Sequence, residues 1–254
     1  MPSNRNYLRV PAWGLILCAA MLSGCVGSMT PGKMQTVQTE STEPRAGNVY
    51  LVRGFIGLFS FGIDRLTVKI NEAGIRAHVF QEDQYKTLGR TIAKAYRSAQ
   101  DPEPLILIGH SLGADAVIKI ARELQKEGIV VDVIVTLDPT RPPKLPGNVR
   151  ICYNYYQPSI WDGTGILRGI ALETDPGAAV QLHNFNIREE RKDLLEWDTN
   201  HVNVDKNTKI HTEVIQRLLA DHCPPREQWV AARARTVGTG GASPASPTAT
   251  PQGR

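Results

Sequence analysis

The sequence is poor in the features that define several common classes of protein. Its 254 residues include only four cysteines, and 29 basic side chains stand against 25 acidic ones. So few cysteines exclude a disulfide-dense scaffold, and a net charge of +4 without a basic stripe argues against a nucleic-acid partner. No His-Glu-x-x-His, Cys-x-x-Cys or His-x-His motif and no glycine-rich phosphate loop is present. We therefore expect no metal site and no cofactor.

The amino terminus has the pattern of a secretion signal. Two arginines precede an apolar run, Ala12–Leu22, that is followed by small residues. The run is shorter than the roughly 20 residues that cross a bilayer as a helix, so it predicts a cleaved signal peptide over residues 1–24. It closes with Leu22-Ser23-Gly24-Cys25, which resembles the lipobox of bacterial lipoproteins. The resemblance implies that the Cys25 thiol receives a diacylglycerol, whose acyl chains, such as palmitate, would anchor the protein in a membrane. Because Val26 rather than aspartate follows, we expect the outer membrane of the cell envelope, facing the periplasm.

Composition divides the rest of the chain into one folded domain and two polar ends. Residues 25–46 are rich in Ser, Thr, Gly, Pro, Gln and Glu, which predicts a flexible tether. Residues 231–254 contain a Gly-, Ser- and Pro-rich run, which predicts a disordered tail. Residues 47–230 are thus the expected domain.

Within residues 47–230, strand-like and helix-like patterns alternate. Apolar stretches of strand length are 48–53, 75–80, 105–108, 129–137, 149–155 and 178–187. Helical spacing of apolar side chains occurs within 63–73, 88–99, 114–124 and 210–218. This alternation predicts an α/β fold with a mostly parallel sheet covered by helices on both faces.

Two cysteines remain in this domain once the amino terminus is set aside. Cys152 and Cys223 are a single possible disulfide pair in an oxidising compartment. We favour the alternative, in which they are two separate buried thiols that act as small hydrophobic residues.

The sequence Gly109-His110-Ser111-Leu112-Gly113 lies between a buried strand and the helix that follows it. It fits the Gly-x-Ser-x-Gly pattern in the strand-turn-helix setting which that pattern requires. Glycines at positions 109 and 113 would allow a tight turn that projects the Ser111 hydroxyl beyond the sheet edge. Ser111 is therefore the candidate nucleophile.

On these residues the chain resembles the α/β-hydrolase superfamily, in particular small lipases, esterases and thioesterases. The resemblance covers about residues 47–222 and implies a minimal member that lacks the first antiparallel strands and a separate cap domain. It implies a serine hydrolase acting on a small-molecule or lipid ester, with the acid and the histidine following the serine in chain order.

The acid of the triad has two candidates, each after a predicted strand. Asp138 follows the strand next in sequence to the serine motif, and Asp162 follows the strand after that. We favour Asp138, because Pro139 ends the strand and would hold the carboxylate at the same sheet edge as Ser111.

Of six histidines, His201 is the preferred base, because it lies in a polar loop shortly before the last predicted helix. His110 is expected to point away from the site, His78 and His183 fall within strand patterns, and His211 falls on a helix. His222 comes after that helix.

The oxyanion hole requires two backbone N–H donors. One is expected from Leu112, directly after the nucleophile, and the other from Phe55, in the turn after the first strand. The apolar residues that follow Phe55 could line an acyl pocket or simply begin a buried helix.

Together these features favour a lipid-anchored serine hydrolase that cleaves esters or thioesters. An amidase or peptidase would use the same three residues. A non-catalytic envelope lipoprotein could also have kept a hydrolase scaffold for binding alone, because a fold does not fix a function.

Overall fold

The computed structural model describes residue 41 and residues 43–54, 61–158 and 169–238. The strands in this part of the chain are β1 (Asn48–Val52), β2 (Arg76–Phe80), β3 (Leu105–His110), β4 (Val131–Leu137), β5 (Val149–Tyr156) and β6 (Gln181–Asn186). The α-helices are α1 (Phe61–Glu72), α2 (Tyr85–Ser98), α3 (Leu112–Lys126), α4 (Thr208–Arg217) and α5 (Arg226–Gly238).

The six strands form one sheet in the order β2-β1-β3-β4-β5-β6, and every neighbouring pair is parallel. Their carboxyl ends therefore meet at one edge of the sheet. The register pairs Val52 with Gly109 and His110 with Leu137, which brings the end of β3 between those of β1 and β4. Candidate site residues that follow different strands are thus gathered at this edge.

Helices cover both faces of the sheet, because side chains alternate between the faces along each strand. On one face α1 and α4 pack against residues such as Val49 and Leu51. On the other face α2 and α3 pack against Tyr50 and Val52. The prediction of an α/β fold with a parallel sheet between two helical layers is confirmed, and the described residues form no separate cap domain.

The described structure extends beyond residues 47–230 at both ends. Before residue 47, the Arg45 guanidinium donates 3.1 Å hydrogen bonds to the carbonyls of Leu219 and Cys223, and Ala46 is fully buried. The last residues of the expected tether are therefore bonded to backbone acceptors of the domain.

After residue 230, helix α5 continues to Gly238, so the expected tail begins inside a helix. Its sequence contains strong helix formers, among them Arg, Glu, Gln and Ala. Within the helix, the Arg233 guanidinium lies 5.0 Å from the centre of the Trp229 ring, a cation–π contact. Arg233 also forms an ion pair with Asp101, which attaches the helix to the domain.

Cys152 and Cys223 are both free and buried. They lie in the hydrophobic clusters on opposite faces of the sheet, so they cannot meet in a disulfide. Burial raises the pKa of both thiols, that of Cys223 to about 12. The interpretation as separate buried thiols is the correct one.

Among the helices of the described ranges, none combines the length and the apolar character needed to cross a bilayer. The amino-terminal segment with Cys25 lies outside those ranges.

Candidate active site

Ser111 lies at the carboxyl edge of the sheet, in the sharp turn between β3 and α3. Its backbone has φ of 55° and ψ of −123°, a combination that non-glycine residues rarely adopt. The Ser111 N–H donates a 2.9 Å hydrogen bond to the carbonyl of Leu137, at the end of β4. The strained residue is thereby held by the neighbouring strand.

The two glycines of the motif are required by close backbone approaches. A Cβ atom at Gly109 would lie 2.3 Å from the carbonyl oxygen of Gly113, and one at Gly113 would lie 2.2 Å from that of Val52. Real Cβ atoms essentially never come within 3.0 Å of another heavy atom in this way. The predicted reason for glycine at both positions is confirmed.

His201 lies in the polar loop before α4 and is almost fully buried, with 7% of its surface exposed. Its Nε2 atom is 3.0 Å from Ser111 Oγ, and its Nδ1 atom is 3.3 Å from Asp138 Oδ2. With Nδ1–H donating to the carboxylate, Nε2 is free to accept the serine proton. The structure thus brings together the three residues that the sequence nominated as nucleophile, base and acid.

Asp138 follows β4 directly and is fully buried. Its φ of 48° is left-handed, a region where aspartate and asparagine occur more often than other non-glycine residues. The backbone N–H of Gln157 donates to Oδ1 at 2.7 Å, and the Gln157 side-chain amide donates to Oδ2 at 3.2 Å. A Cβ atom at Gly169 would lie 2.0 Å from Oδ1, so glycine there leaves the space that the carboxylate occupies.

A buried carboxylate on α3 fixes the loop that follows the acid. Asp115 accepts hydrogen bonds from the backbone N–H groups of Thr140 and Arg141 at 3.0 and 2.9 Å, and from the Thr140 hydroxyl at 2.9 Å. Burial raises the pKa of Asp115 above its ordinary value, although these three donors oppose the shift. The helix that begins after the nucleophile is therefore tied to the chain just beyond Asp138.

Of the two expected oxyanion donors, Leu112 is among the described residues and Phe55 is not. Leu112 is the first residue of α3, where backbone N–H groups have no acceptor within the helix. Phe55 lies outside the described residues, as does Asp162. Before that segment, the guanidinium of Arg53 forms a partly buried ion pair with Asp64 on α1, which fixes the end of β1 against the start of α1.

Sequence reasoning missed three residues around the triad. Gln157 and Asp115 hold the acid and its loop, and the expectation that His110 points away from the site is wrong. His110 Nε2 lies 2.8 Å from the carbonyl oxygen of His201. An aspartate in the apolar stripe of α3 was a visible signal for Asp115, whereas nothing in the local sequence marks Gln157.

The remaining histidines have contacts outside the triad. His211 on α4 lies with Nε2 2.6 Å from the carbonyl of Asp205, and His222 contacts the Tyr153 hydroxyl at 3.2 Å. His78 and His183 lie on β2 and β6, as predicted. Across the described ranges, no group of three or more His, Cys, Asp or Glu side chains could hold a metal ion.

No family model matches the sequence, and no curated protein matches it. Among solved structures, the chain is similar to the NocB thioesterase domain from the nocardicin cluster, at 12% identity and a TM-score of 0.43, over 68% of this chain and 95% of that one. An esterase domain of a Rhodothermus marinus protein gives 15% identity and a TM-score of 0.44, over 72% and 89% of the two chains. An α/β serine hydrolase without a lid from Xanthomonas campestris gives 13% and 0.42, over 74% and 85%. At this level of similarity, function must be argued from the chain's own residues.

Proposed function

We propose that the protein is a lipid-anchored serine hydrolase that cleaves carboxylic ester or thioester bonds through an acyl-enzyme intermediate. The observation that carries this proposal is the continuous chain of contacts from Ser111 Oγ to His201 Nε2, and from His201 Nδ1 to Asp138 Oδ2. These are the geometric roles of nucleophile, general base and orienting acid.

In the acylation step, Ser111 Oγ attacks the substrate carbonyl carbon while His201 Nε2 accepts the hydroxyl proton. The carbonyl oxygen becomes an oxyanion, which the N–H groups of Leu112 and, in our proposal, Phe55 stabilise. When the intermediate collapses, the bond to the alcohol or thiol breaks, and that leaving group takes the proton from His201. Asp138 stabilises the imidazolium during both proton transfers.

In the deacylation step, water attacks the acyl group on Ser111 and gives a proton to His201. Collapse of the second intermediate releases the carboxylic acid and returns the proton to Ser111 Oγ. Protons and electron pairs balance over the two steps without a cofactor.

Exposed apolar side chains next to the nucleophile in sequence and at the start of α1 favour a substrate with an apolar acyl group. Leu112, next to the nucleophile, keeps 36% of its surface exposed, and Phe61 at the start of α1 keeps 38% exposed. The next residue of α1, Gly62, donates its N–H to Asp205 at 2.9 Å, and Asp205 belongs to the segment that carries His201. The beginning of α1 is thereby fixed near the base.

Turnover of nitrophenyl esters of graded acyl length by the full-length protein in detergent tests the proposal. We expect hydrolysis by the wild type and almost none by Ser111→Ala. Thioester and anilide analogues of the best substrate separate thioesterase from amidase activity. A folded wild-type protein that turns over none of these compounds would favour the alternative of a binding lipoprotein.

The membrane anchor is tested separately through Cys25. Because the thiol of this residue would carry the acyl chains, we expect detergent to be required to extract the wild-type protein and Cys25→Ser to accumulate unprocessed. Cys18→Ser is the matched control, since this cysteine lies within the expected signal peptide. A processed, membrane-bound Cys25→Ser protein would contradict the assignment, and fractionation of the envelope tests the outer-membrane location.

A further inference from the structure

His110, the residue before the proposed nucleophile, contacts the proposed base. It is the last residue of β3 and only 2% of its surface is exposed. Its Nε2 atom lies 2.8 Å from the backbone carbonyl oxygen of His201. The two imidazole rings are 5.5 Å apart and inclined by 41°.

The chemistry of this contact fixes the hydrogen on His110. A carbonyl oxygen can only accept, so Nε2–H of His110 must be the donor. Burial lowers the pKa of His110 to about 4, so its imidazole is neutral at physiological pH. A neutral ring carries a single N–H group, and that group is committed to the carbonyl of His201.

The segment that carries His201 is a loop held by hydrogen bonds within it and by bonds from outside it: the Arg188 guanidinium donates to the Thr199 carbonyl at 2.8 Å, and the Gly62 N–H donates to Asp205 at 2.9 Å. The Asn200 N–H donates to Asn203 Oδ1 at 2.7 Å, and the Val202 N–H donates to Asn200 Oδ1 at 2.9 Å. These bonds hold the loop, but none of them joins the backbone of His201 itself to the strand that leads to Ser111. The bond from His110 does so, because it joins the carbonyl of His201 to the last residue of β3, directly before Ser111.

We propose that His110 is a positioning residue that sets the distance between Ser111 Oγ and His201 Nε2 through its hydrogen bond to the His201 carbonyl. The inference rests on the proposed hydrolase function. It predicts that removing the donor displaces the base and slows proton transfer from Ser111, while the surface that binds the substrate is unchanged.

Two substitutions separate the hydrogen bond from the bulk of the ring. His110→Phe keeps a ring of similar shape but has no donor, whereas the side-chain amide of His110→Gln can place an N–H near the position of Nε2. We expect His110→Phe to lower kcat by about 10- to 100-fold, the scale of loss when a catalytic group is misplaced by about 1 Å, with KM changed less than about two-fold. His110→Gln should recover most of kcat.

His222→Phe is the matched control. His222 is a partly buried histidine that, like His110, has a ring-nitrogen contact, here to the Tyr153 hydroxyl, and it lies outside the triad. We expect His222→Phe to lower the thermal stability without the selective loss of kcat expected for His110→Phe. Two further readouts are the rate of Ser111 labelling by a fluorophosphonate and the downfield proton resonance of the hydrogen bond between His201 and Asp138. Both should change in His110→Phe and return towards wild type in His110→Gln.

The outcomes separate this inference from the function on which it rests. Wild-type kcat in folded His110→Phe, with Ser111→Ala inactive, overturns the positioning role and leaves the hydrolase function standing. Equal losses in folded His110→Phe and His110→Gln, or the same kcat loss in His222→Phe, also overturn it. If His110→Phe does not fold, His110→Gln decides, because a large kcat loss in that variant refutes the role of the donated hydrogen bond. Absence of turnover and of labelling in the wild type refutes the function and the inference together.

Discussion

Replacing Asp138 with asparagine should nearly abolish turnover while leaving the domain folded. Asparagine has almost the same size and tolerates the left-handed φ of 48° found at this position. The substitution therefore changes the charge and one hydrogen-bonding atom in a fully buried site. It neither creates a cavity nor strains the backbone further.

The surroundings of Asp138 determine how the new amide will lie. Its oxygen should face the N–H of Gln157, which is 2.7 Å from Oδ1 in the wild type, because an amide nitrogen there would place two donors against each other. The new NH₂ group then faces His201 Nδ1. The Gln157 side chain can accommodate it by turning, since its buried Oε1 has no hydrogen-bond partner among the described residues.

An NH₂ group beside Nδ1 reverses the tautomer of His201. The ring must then accept at Nδ1 and carry its hydrogen on Nε2, where it faces Ser111 Oγ and cannot take the hydroxyl proton. In triads that depend on the acid, this change costs on the order of 10⁴ in kcat, which corresponds to about 5 kcal/mol in the activation free energy.

The assay is nitrophenyl ester turnover, with thermal unfolding measured on the same preparations. Asp132→Asn is the matched control. Asp132 lies on β4, the strand that leads to Asp138, and its carboxylate accepts a 2.8 Å hydrogen bond from the Leu105 N–H. We expect Asp132→Asn to keep wild-type kcat. If folded Asp138→Asn kept more than about a tenth of wild-type activity, the reasoning would be refuted, and a large loss in Asp162→Asn would transfer the role to that residue.

Three further predictions concern the triad, the turn after Ser111 and the buried carboxyl of Asp205. Ser111→Ala and His201→Ala should each remove nearly all turnover, and the double variant should be scarcely slower than either single one, since triad members act as a unit; additive losses in kcat would contradict this. Gly113→Ala should lower the free energy of unfolding by about 3 kcal/mol or more, because its Cβ would lie 2.2 Å from a backbone oxygen of β1. Gly128→Ala has open space around its Cβ and should cost only about 1 kcal/mol for its positive φ. Equal losses for the two variants in chemical denaturation would refute this. Burial raises the pKa of Asp205 to about 7, so this carboxyl contributes stability below about pH 4 that is lost as the pH rises through about 7. Relative to Asp205→Asn, the wild type should become less stable over that range of pH. A difference in unfolding free energy that stays constant with pH would refute this.

The sequence was sufficient to predict the layers of the fold because the strands are continuous apolar runs and most helices show a strong apolar stripe. The buried run at Leu105–His110 and the stripe of α3 marked both sides of the serine turn. Helix α5 was not predicted as a helix, because its apolar side chains do not recur on one face and its attachment depends on distant ion pairs.

The site shows a similar division between local and distant information. The strand-turn-helix pattern nominated Ser111, and chain order nominated Asp138 and His201, all of which the structure brings into contact. The contacts of His110 and Gln157 depend on where loops distant in sequence lie in space. No local pattern of charge or periodicity encodes that placement, so the roles of these two residues required the three-dimensional structure.

Covalent labelling by a serine-directed fluorophosphonate tests the central claim most directly, because it requires an activated nucleophile and no knowledge of the substrate. Intact-mass and peptide analysis should find a single adduct on Ser111 in the wild type, none in Ser111→Ala, and slow labelling in His201→Ala. A folded wild-type protein that remains unlabelled, or that carries its adduct on another residue, would contradict the assignment of Ser111 as the nucleophile.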